Sequence, residues 1–184
     1  MNEIAWMEDP PKGPRLPHLP LTTVRASKEI RGLITCERIL GVGTHFLGGR
    51  TQPHYKGHCA GCEALLPIRP EAYVSILTVK PTNHILCRLT LDPWNAILDQ
   101  APNRKMLRGL HVTLKRSGAR DNSRLLAKID EFDYSQVRLP EPPLLIAHLM
   151  LIWGIDPSAQ IEGVTENESE IIEEFNRITG GTNA

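Results

Sequence analysis

The sequence predicts a mainly β protein: a five-stranded barrel with a long insert between strands one and two, and helices at the C-terminal end. Three observations predict it. Five segments carry strand-length runs of β-branched, aromatic and alternating apolar residues. A helix start, Asp92-Pro93, falls between the third and fourth of them. The stretch from Phe46 to Pro67 is rich in glycine, histidine and cysteine and poor in large apolar residues, so packing alone would order it badly.

The elements follow in order. Residues 1–29 hold Pro10, Pro11, Pro14, Pro17 and Pro20. Proline at that density bars helix and interior strand, so this is an extended arm, laid along a neighbour. Residues 30–134 are the barrel. Arg31–Phe46 reads as its first strand, with Gly41 and Gly43 as bulge or bend points. The insert covers about residues 47–70. Ala72–Val79 is the second strand, Pro81-Thr82-Asn83 a turn, and Ile85–Leu91 the third strand. Asp92 as N-cap and Pro93 at the first helical position start a short helix to Gln100. Leu107–Arg116 is the fourth strand, with Leu110, Val112 and Leu114 on one face and His111, Thr113 and Lys115 on the other. Leu125–Phe132 is the fifth.

Residues 135–159 carry Pro142-Pro143 and then Leu144–Trp153, a helix apolar all round and ended by Gly154. Such a helix must be buried, against the barrel or against a partner. Residues 160–184 form an acidic tail, in which Ile171, Phe175 and Ile178 recur at helical spacing.

The net charge is zero, with 21 Lys+Arg and 21 Asp+Glu, but it is unevenly spread. Residues 1–135 carry 19 basic against 13 acidic side chains, and residues 136–184 carry 2 against 8. A basic body with an acidic end fits a body that meets phosphate. No stretch approaches the roughly 20 apolar residues of a membrane span. Four cysteines are too few for a disulfide scaffold, and no signal pattern opens the chain, which favours the cytoplasm.

The insert carries the sharpest chemistry. Cys59 and Cys62 form C-x-x-C, a spacing that lets two thiolates grip one tetrahedral ion, at Zn–S bonds of about 2.3 Å. Gly57 and Gly61 give such a knuckle its backbone freedom. His54 can close the loop. The fourth ligand is His45, at the end of the first strand, or His58. Residues adjacent in sequence rarely both face one ion, so His45 is preferred to His58. Four protein donors leave no open position for water, so the expected ion is a structural zinc. No H-x-E, H-E-x-x-H, P-loop or G-x-G-x-x-G pattern accompanies it. The chain is expected not to be an enzyme.

The order strand, insert, strand, strand, helix, strand, strand resembles the OB-fold. Arg108-Gly109, leading into the fourth strand, looks like the corresponding strand of single-stranded-DNA-binding OB-folds. His45, His54, Cys59 and Cys62 are similar in order to the zinc-bearing insert of phage or mobile-element single-stranded-DNA-binding proteins. Those use one histidine and three cysteines, and here His54 stands where a cysteine would. The resemblance implies binding of single-stranded nucleic acid, DNA before RNA, with little sequence preference. Bases would stack on aromatics and phosphates follow a basic groove. The candidate residues are Arg50, Tyr55 and Lys56 in the insert, Arg69 at its end, Tyr73, Lys80 and Arg88 on strands two and three, and Arg108, Lys115, Arg116 and Arg120 around strand four. Phe46 is a further stacking candidate. The alternative is a protein-interaction module on a small β-barrel. Its partner would dock on the apolar C-terminal helix, the acidic tail or the proline-rich arm.

Overall fold

A computed structural model describes residues 18–55, 59–79, 81–102, 106–130, 137–159, 161 and 168–179. The strands are β1 (Leu21–Thr22), β2 (Ile30–Ile34), β3 (Leu40–Leu47), β4 (Arg50–Pro53), β5 (Arg69–Val79), β6 (Thr82–Leu89), β7 (His111–Arg116) and β8 (Leu125–Asp130). The helices are α1 (Ala60–Glu63), α2 (Leu91–Gln100), α3 (Leu145–Trp153) and α4 (Glu168–Thr179). The protein is mainly β, with an open mixed sheet and C-terminal helices. No helix of the described residues is long and apolar enough to cross a membrane.

The sheet runs β1-β6-β5-β2-β7-β8, with β3 paired to β5 and β4 to β3. β5 organises it. One edge of this 11-residue strand pairs with β6 from Ala72 to Val79. The other edge is shared: Arg69–Tyr73 pair with β3, and Ile76–Thr78 pair with β2. The long first strand expected over Arg31–Phe46 is therefore two strands. At the break, the Thr35 amide still donates to the Ser75 carbonyl at 2.9 Å, and side chains reinforce the contact. Thr35 donates from Oγ1 to Ser75 Oγ at 2.6 Å, and the Ser75 amide donates to Cys36 Sγ at 3.4 Å. The Leu107 amide also donates to the Glu37 carbonyl, which leads the chain away from β5. Gly41 and Gly43 sit in regular pairing and form no bulge. Gly41 lies under the Trp94 ring, where a Cβ would come within 2.3 Å of that ring, so the glycine lets α2 dock on β3.

A closed five-stranded barrel is not formed. Among the described residues, no ladder joins β6 to β8. The free edge of β6 is taken instead by β1, in parallel, through Leu21↔Leu86 and Thr22↔Cys87. The strap continues past β1. Arg116 Nε donates to the Val24 carbonyl at 2.9 Å, and the Ala26 amide to Asp121 Oδ1 at 2.6 Å. The arm expected to lie on a neighbour thus ends, in its described part, on the chain's own sheet. Residues 1–17 lie outside the described residues.

The core runs between the sheet and α2 and α3, and includes Ile34, Val42, Val74, Leu86, Ile97, Val112 and Leu114. α3 is buried as its composition requires, with Ile146 and Leu149 fully enclosed. Each such side chain contributes roughly 1.5–3 kcal/mol. Gly154 ends α3 in the left-handed region, at φ 67°, and the Ile155 amide reaches back to the Met150 carbonyl at 2.9 Å. α4 packs on this layer through Ile171 and Phe175. The C-terminal helices cover the protein's own sheet, and their apolar residues are used there. α2 begins at Leu91 with Thr90 as its N-cap residue, and Asp92, expected in that role, pairs with Arg124 at 2.9 Å.

Candidate metal centre and the adjoining groove

The hairpin β3–β4 brings the two histidines together. Gly48 and Gly49, at φ +60° and +78°, form its two-residue turn and set the register Leu47↔Arg50, His45↔Gln52 and Thr44↔Pro53. One step beyond β4, the His54 amide donates to the Gly43 carbonyl at 2.8 Å. His45 and His54 therefore share one face of the hairpin. Cys59 stands just before α1 and Cys62 within it, so one helical turn aims both sulfurs at the same point.

The distances among the donors are those of a coordination shell. His45 Nε2 lies 3.1 Å from His54 Nδ1. Cys62 Sγ lies 3.6 Å from the first nitrogen and 3.4 Å from the second. All four donor atoms lie within 4.8 Å of one another. A tetrahedral zinc with ordinary bond lengths would hold two nitrogens about 3.3 Å apart and a nitrogen and a sulfur about 3.6 Å apart. Three polar atoms in mutual contact cannot all be joined by linear hydrogen bonds, whereas one cation at their centre satisfies all three. Two imidazoles and two thiols are a donor set that fits zinc.

The surroundings suit thiolate and neutral imidazole. Burial pushes the Cys59 thiol up, but backbone N–H groups of Tyr55, Cys62 and Gly61 and the His54 side chain bring it down to about 6. The thiolate is the ligating form. His45 is buried, and its Nδ1 has no hydrogen-bond partner among the described residues. Cys62 is open to solvent. The other cysteines are buried, Cys36 in the bend between β2 and β3 and Cys87 on β6, and burial pushes the Cys87 thiol up to about 12. His58, the alternative ligand, and Lys56 lie outside the described residues.

Directly beside the cluster runs a groove of about 680 Å³. One wall is β4 and the residues after it, Arg50 to Tyr55; the floor is Tyr73 on β5 and Arg88 on β6; the far wall is the end of α3, with Trp153. The structure thus gathers four of the candidate binding residues, Arg50, Tyr55, Tyr73 and Arg88, around one concavity. Arg50 is exposed, and Arg88 reaches both Thr51 Oγ1 and Glu71 Oε1 at 3.4 Å.

Other candidates are placed elsewhere. Tyr73 is only 1% exposed, donates to Glu71 Oε2 at 2.8 Å and meets Trp153 edge-on at 5.9 Å. Burial and the Glu71 carboxylate push its phenol up. It is a floor, not a stacking face, which corrects its expected role. Arg108 donates to the carbonyls of Thr35 and Pro140, both at 2.6 Å. Arg116 donates to those of Val24 and Ser123. Both guanidinium groups clamp backbone segments together, and neither is presented as a phosphate contact. Arg69 and Arg120 are exposed but line no part of the groove, and Lys115 lies in a different cleft. Phe46 is 54% exposed on β3. Lys80 lies outside the described residues. Sequence reasoning missed Trp153; its one signal was its place in the last turn of an apolar helix, before Gly154. It also missed β4, whose Arg-Thr-Gln-Pro sequence has no apolar pattern.

No protein-family model matches this chain, and no curated protein or solved structure compared with it does either.

Proposed function

We propose that this chain binds single-stranded nucleic acid in the groove between β4 and α3, and that a structural zinc on His45, His54, Cys59 and Cys62 holds the groove's wall in place. One observation carries the reading: the cluster and the groove share a segment. His54 is a donor of the first, and its neighbours Pro53 and Tyr55 line the second. Ordering the hairpin around an ion orders the groove.

The groove's chemistry supports a single strand. Tyr55 and Trp153 offer rings and Arg50 offers a cation, the combination that takes a base and its phosphate without reading sequence. Its volume suits individual bases rather than a duplex. The element order, with α2 between β6 and β7, supports reading the sheet as an opened variant of the five-stranded OB architecture, with β1 in the closing position. Four protein donors fill the tetrahedron, so the ion's role here is structural and the protein acts by binding. DNA is the first ligand to try. A titration of single- and double-stranded oligonucleotides against salt tests the proposal. Tighter binding of the single strand, with log affinity falling by about 0.7 per phosphate neutralised for each unit of log salt, is expected. No binding of single strands at moderate salt would refute it.

A further inference from the structure

Beyond the groove, the open seam of the sheet forms a second and larger cleft, of about 1310 Å³. Four cations line it: Lys28 and Arg31 from β2 and the chain before it, Lys115 from β7 and Lys128 from β8. Two of them are partnered, Arg31 by Glu29 at 2.8 Å and Lys128 by Asp130 at 2.7 Å. Lys28 and Lys115 are exposed, and neither side chain has a carboxylate partner among the described residues. The register places Arg31, Thr113 and Lys128 side by side across three strands, with Lys115 two residues along from Thr113. Among the described residues, the one aromatic ring in the lining is that of His111, which is buried. A cleft with this lining has no aromatic stacking platform; it offers a ligand four cations, against the carboxylates of Glu29 and Asp130 in the same lining.

The two cavities border opposite faces of the edge strand β1. Leu21 lines the groove and its neighbour Thr22 lines the cleft. On β6, Arg88 belongs to the groove and Ile85 to the cleft; three residues apart, they too face opposite sides of the sheet. A strand that leaves the groove reaches the cleft by rounding the edge of the sheet at β1.

We infer that the cleft is a second, phosphate-only track for the same nucleic-acid strand: bases are held in the groove, and the phosphodiester backbone continues over β1 to Lys28, Arg31, Lys115 and Lys128. The inference rests on the groove reading. It assigns the seam left open between β6 and β8 a use, and it makes affinity depend on strand length.

The test compares oligothymidylates of about 4 and about 16 nucleotides, the span of site sizes known for such folds, on the zinc-loaded protein and on a Lys28→Gln/Lys115→Gln double variant. Both lysines are exposed, and an unchanged melting temperature checks that the variant is folded. The long oligonucleotide should show the steeper salt dependence. The variant should remove about 1.4 from that slope, two phosphates' worth, and leave the short oligonucleotide's slope unchanged. Equal slopes for both lengths, or a variant that changes neither or changes both alike, would overturn the second track and leave the groove standing. If neither oligonucleotide binds the unaltered protein, the groove reading falls and the track falls with it.

Discussion

Gly61 lies flat against the imidazole of His45: a methyl group in place of its hydrogen would come within 2.3 Å of the ring's Cγ and 2.5 Å of Cδ2. Its backbone does not require glycine, since its φ is not positive. Close approach is what requires it. The contact presses α1 onto β3, and the sulfurs of the knuckle meet the nitrogens of the hairpin because nothing stands between.

Gly61→Ala should therefore act on the metal through His45. Outer contacts that orient a ligand typically govern about 10–100-fold in metal affinity. A competition titration with a chromophoric chelator should show a loss of that order. The same substitution at Gly118, an exposed glycine of the β7–β8 turn whose nearest neighbour is the Ser123 side chain at 3.5 Å, should leave metal affinity unchanged.

Zinc retention should weaken as pH falls through about 6. The folded state favours the Cys59 thiolate, with a folded pKa near 6 against an ordinary 9.0. For a group whose pKa is lowered on folding, the stability it contributes is present above the higher value and lost as pH falls towards the lower one. Metal-free protein should lose this contribution between pH about 9 and about 6. The loaded protein should release its ion as protons compete for thiolate and imidazole below that range. Chelator-monitored zinc release against pH reads both the direction and the midpoint.

Arg50 and Arg108 should separate binding from folding. Arg50→Ala removes an exposed cation of the groove and should flatten the salt dependence by about 0.7 with little change in melting temperature. Arg108→Ala breaks two charged hydrogen bonds, to Thr35 and Pro140 carbonyls, and should cost about 1.5–3 kcal/mol of stability. Its salt slope should stay where it was. Thermal melts and anisotropy titrations on the two variants give opposite patterns if the assignment is right and the same pattern if it is wrong.

Acid should also loosen the N-terminal strap. The Leu19 amide donates to Nδ1 of His148 at 3.1 Å, which needs that nitrogen unprotonated. Burial holds the His148 imidazole down at about 4, so its contribution is full above pH 6.5 and lost as pH falls from there towards 4. Amide exchange at Leu19 should rise over that interval before the core strands open.

Much of this was legible in the sequence, for identifiable reasons. β5 to β8 and α2 to α4 follow from local pattern: alternation in β7, a proline in the first turn of α2, a glycine after α3. The grouping of His45, His54, Cys59 and Cys62, which could hold a metal ion, followed from the C-x-x-C spacing and the two histidines before it. What was hidden depended on contacts between distant segments. The end of β2 is held at Thr35 by Ser75, 40 residues away. The two residues of β1 pair only because β6 has a free edge. Arg108 and Arg116 read as surface charge until the carbonyls they hold are seen, and Tyr73 read as a stacking ring until Trp153 covered it.

The central claim is that the ion sets the groove. Its most direct test is fluorescence anisotropy of a labelled single-stranded oligonucleotide on zinc-loaded protein, repeated after chelation and again after zinc is restored, with circular dichroism recorded alongside. Chelation should weaken binding, added zinc should restore it, and the β signal should survive throughout, because the core of Ile34, Val74 and Leu86 contains none of the four donor residues. Equal affinity with and without zinc, in protein shown by elemental analysis to have lost its metal, would contradict it.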